Sequence, residues 1–191
     1  METVLSIALG IGLSAACGFR VFVPLLIMSI AAYTGNLTLS SGFEWIGSLP
    51  ALIAFGTATV LEILAYYIPW LGHFLDTVAT PAAVVAGVVA SASAFTDITP
   101  LLKWVLALIG GGGIAGLVQG ATVLARIKST AFTGGLGNPV VSTAELFGSV
   151  ATSLLALLVP VICVIMIATG IYLVFHSTGR LLFGKQHKTP S

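Results

Sequence analysis

From Val4 to Tyr33 the chain runs 30 residues with a single charged side chain, Arg20. A helix needs about 20 mostly apolar residues to cross a bilayer. Comparable apolar runs follow near Ser48 to Pro69, after Thr80-Pro81 to Phe95, after Thr99-Pro100 to Arg126, and from Val140 to His176. Such runs leave little with which to face water. Charged residues are 7% of the chain and hydrophobic ones 58%, whereas soluble domains carry roughly 25% charged residues. The pattern predicts an all-α, polytopic integral membrane bundle. A net charge of +1 gives no electrostatic basis for binding nucleic acid. The C-terminal basic cluster (Arg180, Lys185, Lys188) suits a membrane surface.

Turn signals divide the runs. Thr34-Gly35-Asn36 ends the first. Pro50 sits in the first turn of the second, which closes with Tyr66, Tyr67 and Trp70 as an interfacial aromatic belt. His73, Asp76 and Thr77 then read as a loop. Thr80-Pro81 and Thr99-Pro100 read as N-cap and N1 pairs opening the third and fourth spans. As one helix, Val140–His176 would be roughly 55 Å long. It therefore divides into Thr143–Leu158 and Pro160–Phe183, with Pro160 the only breaker. Six spans place Arg126, Lys128, Arg180, Lys185 and Lys188 on one side and Lys103 on the other. The positive-inside rule then puts both termini in the cytoplasm. Cys17 and Cys163 lie in apolar runs, which argues against a structural disulfide. A lipoprotein-like Leu13-Ser14-Ala15-Ala16-Cys17 is out of register by one place and has no basic segment before it.

The chain is expected to form one transmembrane domain with two halves, about 1–96 and 97–184, and a basic tail, 185–191. Ala8-Leu9 through Tyr33-Thr34-Gly35 aligns without gaps on Ala107-Leu108 through Phe132-Thr133-Gly134. Val78-Ala79-Thr80 echoes Val150-Ala151-Thr152 at another offset. Three spans per half make the second half an inverted repeat, a layout typical of transporters. Gly10, Ser14 and Gly18, and Gly112, Gly116 and Gly120, recur every four residues. Such stripes allow close helix packing within the chain or across a homo-oligomer. Four consecutive glycines, Gly110 to Gly113, and Cys17-Gly18 before Pro24 also suit broken helices.

Arg20 is the most informative residue, because an arginine at bilayer depth costs at least ~2.5 kcal/mol and calls for a partner or a wet cavity. The repeat aligns it with Gln119, and Glu62 reads as its counter-ion. Ser142 through Glu145 has the spacing of a capping box, as does Ser41 with Glu44. Glu145 is also an ion-binding candidate beside Arg20, Glu62 and Gln119. The segment Lys128 to Pro139 reads as a hydroxyl- and glycine-rich loop before a helix N-terminus, where amides and Lys128 suit an anion. Tyr66, Asp76, Lys128, Ser129, Thr130 and Asn138 are candidates to line a cytoplasmic vestibule. His176 and His187 have no ligand-like neighbours in sequence. No metal constellation or nucleophile–base pair stands out, so no cofactor and no enzymatic activity are expected.

Four stretches carry a resemblance. They are Gly18-Phe19-Arg20-Val21-Phe22-Val23-Pro24-Leu25-Leu26, Glu62 through Leu71, Leu75-Asp76-Thr77, and Gly134-Gly135-Leu136-Gly137-Asn138-Pro139 with Glu145. Together they resemble small bacterial membrane proteins catalogued as domain of unknown function four-one-two-six, in the branch with Tyr-Tyr at Tyr66-Tyr67. Gly72-His73 depart from the Asp-Asn common there. The resemblance implies a bacterial inner-membrane location and draws attention to Arg20, Glu62, Asp76, Asn138 and Glu145, but it implies no activity. The expected function is a small transporter or channel for an ion or small solute, an anionic one included. The alternatives are a scaffold or accessory subunit and, last, a lipid-handling protein.

Overall fold

The computed structural model describes the backbone of residues 2–183 and the side chains among them other than those of 69–76 and 174–183. The elements are α1 (Glu2–Phe19), α2 (Phe22–Tyr33), a 3₁₀ turn (Glu44–Gly47), α3 (Leu49–Tyr66), α4 (Pro69–Ala94), α5 (Pro100–Leu106), a π-helical turn (Ala107–Gly112), α6 (Gly113–Thr133), α7 (Asn138–Leu158) and α8 (Pro160–Phe183). Among the described residues the fold is all-helical, as the sequence predicts. Five helices are long and apolar enough to cross a membrane, and two shorter apolar helices, Phe22–Tyr33 and Pro160–Leu173, accompany them.

The first apolar run is not one span. α1 stops at Phe19 and α2 starts at Phe22. Pro24 lacks an N–H, and its ring would clash with the carbonyl four residues back, at Arg20. The chain then reverses. α1 runs antiparallel to α7, with Gly12 against Ala156, Ser149 Oγ on the Ala16 carbonyl, and Arg20 on the Ser142 carbonyl. α2 runs back along α3, with Phe22 at Glu62, Leu26 at Gly56 and Ser29 at Ile46. With α5, the π turn and α6 counted as one, seven helical segments alternate in direction. One end of the bundle gathers Glu2, Leu37, Ala94, Asp97 and Pro160. The other gathers Arg20, Tyr66, Arg126 and Glu145. α8 leaves the Glu2 end beside α1, with Cys163 at Gly12, and continues to Phe183. Glu2 and the far end of α8 therefore lie at opposite ends of the bundle. Five helices of spanning length and two shorter ones are compatible with the expected bundle of about six.

Three further boundaries differ. The loop read at His73–Thr77 is the start of α4, which opens with Pro69 at N1. Only Tyr67 and Ile68 separate it from α3, and Pro81 is tolerated inside it. The glycine run 110–113 does not break its helix but widens one turn of it. Gly111 thereby comes so close to Gly87 and Ser91 of α4 that no Cβ would fit. Lys128–Thr133 is helical, so the expected loop shrinks to four residues closed by Gly134 in the left-handed region (φ 61°). The turn at Pro160 is present: Val159 alone parts α7 from α8. Ser41 and Glu44 do not cap a long helix. Glu44 accepts the Gly42 amide, and Ser48 is the N-cap of α3 through the Ala51 amide.

Small residues lie inside and large apolar ones outside. α1 is the central helix, buried from Gly10 through Gly18 apart from Ile11. Ser14 bonds the Gly87 carbonyl (2.7 Å) and meets Ser91 (2.5 Å), which reaches the Gly10 carbonyl (3.1 Å). Leu61, Leu64, Leu124, Phe147 and Ile165 point outward. In lipid, where tails are as apolar as leucine, helices associate through such close contacts of small residues and interhelical hydrogen bonds. Gly112 and Gly116 face Val84 and Val88 of α4, whereas Gly120 is open. Of the two uses the stripe allows, Gly112 and Gly116 thus serve packing within the chain. Cys17 and Cys163 are free and buried.

Candidate functional site

At the end opposite Glu2, five helices bring a polar cluster together. Tyr66, the last residue of α3, has its ring against two guanidiniums. Arg20 lies 4.0 Å and Arg126 3.9 Å from its centroid. A desolvated contact of this kind contributes up to about 2 kcal/mol. Glu145 of α7 takes Arg126 bidentately: Nε donates to Oε1 at 2.9 Å, and Nη2 to Oε2. Arg20 is less well matched. Its Nη2 donates to the Ser142 carbonyl at 2.9 Å but stands 3.9 Å from Glu145. Its Nε and Nη1 are buried without a hydrogen-bond partner. Exposure is 2% for Arg20, 4% for Glu145 and 6% for Arg126.

Glu62 does something else. Oε1 accepts the Val21 amide at 2.8 Å and Oε2 the Phe22 amide at 3.1 Å. Val21 offers no side-chain cap to α2, and Pro24 has no amide to satisfy. A carboxylate from α3 thus supplies the missing cap and complements the positive end of the α2 dipole. Glu62 stays a charge partner of Arg20, as expected, but its two oxygens bond the Val21 and Phe22 amides rather than the guanidinium, and Arg20 also approaches Glu145. The capping-box reading of Glu145 is corrected. α7 starts at Asn138, so Ser142 and Glu145 lie one to two turns inside it.

Gln119 is buried on the face of α6 that carries Arg126, two turns earlier. Gly18 abuts Ala115 and Val118, which sets Gln119 near the level of Arg20. Tyr66, read as a vestibule residue, is at the centre. Ser129, Thr130 and Asn138 are not. Asn138 Nδ2 donates to Thr130 Oγ1 (3.0 Å), and Thr133 Oγ1 to the Ser129 carbonyl while accepting the Gly137 amide. These groups stitch the α6–α7 turn and satisfy one another, which removes the open amides an anion would need. Lys128 is exposed. Asp76 and His73 lie outside the described side chains. Arg126 was read from sequence only as a topology marker. Its seven-residue spacing from Gln119 was the available signal that it shares the buried face.

Two cavities flank the bundle. One, of 810 Å³ at the Glu2 end, is lined by Glu2, Ser6, Thr38, Thr96, Asp97 and the apolar α7–α8 turn, among others. The other, of 510 Å³, is an apolar groove between α2 and α4. Neither is lined by Arg20.

Spanning helices packed on small residues around a buried charged cluster define a multi-pass membrane protein. The chain belongs to the family described as Domain of unknown function (DUF4126), whose model matches residues 7–180. No curated protein and no solved structure matches it.

Proposed function

We propose that the protein passes a small ion or solute, an anionic one included, across the bacterial inner membrane as a transporter or channel, and is not an enzyme. The observation that carries this reading is Arg20, buried with Nε and Nη1 unpartnered. Burying ion pairs is at best neutral against apolar packing, and each unsatisfied donor costs about 1–3 kcal/mol. A purely structural pair has no reason to keep spare donors. Ser142, Glu145, Ser149 and Ser153 form the buried face of α7. This polar strip leads from the Arg20 cluster toward Ala156, at the 810 Å³ cavity. α1 and α6, which the sequence aligns, run in the same direction, so the expected inversion does not relate them; Arg20 and Gln119 nonetheless fall at neighbouring levels. Proteoliposomes should pass chloride, nitrate or potassium, and Arg20→Ala should cut that flux by at least about tenfold. Flux that Arg20→Ala leaves unchanged overturns the reading. The enclosed cluster favours a second reading, a scaffold, which expects no flux of any of the three ions and a co-purifying partner.

We also infer that the Arg20 end faces the cytoplasm. It carries Arg126 and Lys128, and Arg180 sits near the end of α8; the Glu2 end carries Glu2, Glu44 and Asp97 against Lys103. The positive-inside rule then places Glu2 outside and the end of α8 inside. In a Cys17→Ala, Cys163→Ala background, an impermeant maleimide should label Glu2→Cys on intact cells and Lys128→Cys only after permeabilisation. The opposite pattern sinks this orientation.

A further inference from the structure

We infer that Glu62 is the proton-accepting carboxylate that couples proton binding to movement of α2, an inference that rests on the translocation reading above. The cluster holds two carboxylates with different work. Glu145 neutralises Arg126 and approaches Arg20, so a proton there would dismantle an ion pair. Both Glu62 oxygens instead accept backbone amides, from Val21 and Phe22. A proton taken from water onto one oxygen converts that oxygen from acceptor to donor. One amide at the α1–α2 reversal is then released, and the carboxylate charge at the α2 N-terminus is lost. No other bond changes.

The groups that face Glu62 fit this role. Arg20 beyond the end of α1 and Arg126 of α6 act on it electrostatically. Cys17 of α1 does too, and it is fully buried. Tyr66 lies one turn on along α3 and Glu145 stands across the two arginines. On α4, Val78 and Pro81 line the groove beside Val21 and Phe22, and the side chains of 69–76 are not among those described.

α2 is built to move when that cap is released. It has 12 residues, and the 510 Å³ groove lies between it and α4. Its far half is fastened by the Ser29 hydroxyl to the Ile46 carbonyl at 2.6 Å and by Ala32 against Gly47. Release at Val21 and Phe22 therefore leaves α2 pivoting about Ser29. Arg20, next to the pivoting end, carries the unpartnered donors, so the same motion opens or closes access to them.

The test is hydrogen exchange of the peptide covering Val21 to Leu25 in reconstituted full-length protein, referenced to the buried Ser149–Ser153 segment of α7. Glu62→Gln keeps one acceptor and loses the other. It should speed exchange at Val21 or Phe22 by at least about tenfold, the effect of one lost hydrogen bond to a charged group. The native protein should show the same rise, beyond the intrinsic pH dependence, as pH falls, and Glu62→Gln should abolish that pH response. Exchange that ignores both the substitution and pH overturns the inference. Should Glu62→Gln fail to fold, Glu62→Asp, which stays titratable, should retain the pH response; its loss there overturns the inference. Chloride, nitrate and potassium flux measured across the same pH series separates the two claims. Flux that is present but identical at every pH defeats the coupling alone. Absent flux defeats translocation, while the exchange arm still decides the role of Glu62.

Discussion

Glu145→Ala should lower stability by about 3–5 kcal/mol, the cost of leaving a buried charge uncompensated. Glu145 takes Arg126 bidentately and stands 3.9 Å from Arg20, so its loss removes a carboxylate that both arginines meet. The positive charge of the two guanidiniums, both against Tyr66, would then be offset by one carboxylate fewer. Equilibrium unfolding in mixed micelles is the measurement. Replacing Arg126 and Glu145 together by leucine should recover much of the loss, because an apolar pair of similar volume replaces buried ions at little cost. A single-substitution effect under about 1 kcal/mol, typical of exposed pairs, would show that the cluster is hydrated in the membrane and that the pairing above is wrong.

Gly87→Ala and Gly113→Ala should change stability in opposite directions. A Cβ at Gly87 would stand 2.5 Å from the Ala115 Cβ and 2.9 Å from the Gly111 carbonyl, with little flexible side chain to yield. Overpacking of this kind costs about 1–3 kcal/mol. A Cβ at Gly113 meets nothing, so alanine there should gain up to about 1 kcal/mol of helix propensity. Thermal unfolding in detergent ranks the two variants, and equal effects would contradict the α1–α4–α6 packing. Neither site contacts the Arg20 cluster, so both variants also serve as controls for flux.

The helical class and the central place of Arg20 were legible because each rests on a strong local rule, long apolar runs and a charge within one of them. The turn at Pro160 was legible only through the length of its run and the charge distribution, since the local sequence offers one proline and no polar residue. The reversal at Arg20 was half visible. Pro24 predicted a break, but break and reversal have the same local signature, and only the fit of α2 along α3 distinguishes them. The missed helix start at Pro69 has a similar cause. Pro69 and Pro81 offer equivalent N1 signals, and membrane helices tolerate an interior proline when surrounding groups satisfy the freed carbonyl. Glu62 is legible as a charge partner of Arg20, but its bonds to the Val21 and Phe22 amides are not, since backbone amides freed by a tertiary turn leave no trace in sequence. Glu145 matched a capping box by spacing, yet its helix had already begun at Asn138. The pairing of Arg126 with Tyr66 depends on three helix ends meeting, which periodicity within one helix does not report.

The single-residue turn at Val159 bears on the membrane itself. Leu158 and Val159 are exposed, and the corner itself is apolar from Leu157 to Val161. Such a corner favours the hydrocarbon layer over lipid headgroups. Around the rest of the Glu2 end, Glu2, Thr38, Thr96 and Asp97 draw headgroups and water outward. The physical expectation is an uneven rim in the leaflet at that end, thinned at one point of its circumference. That point adjoins the 810 Å³ cavity, where lipid and water meet over the shortest distance to the buried strip of α7.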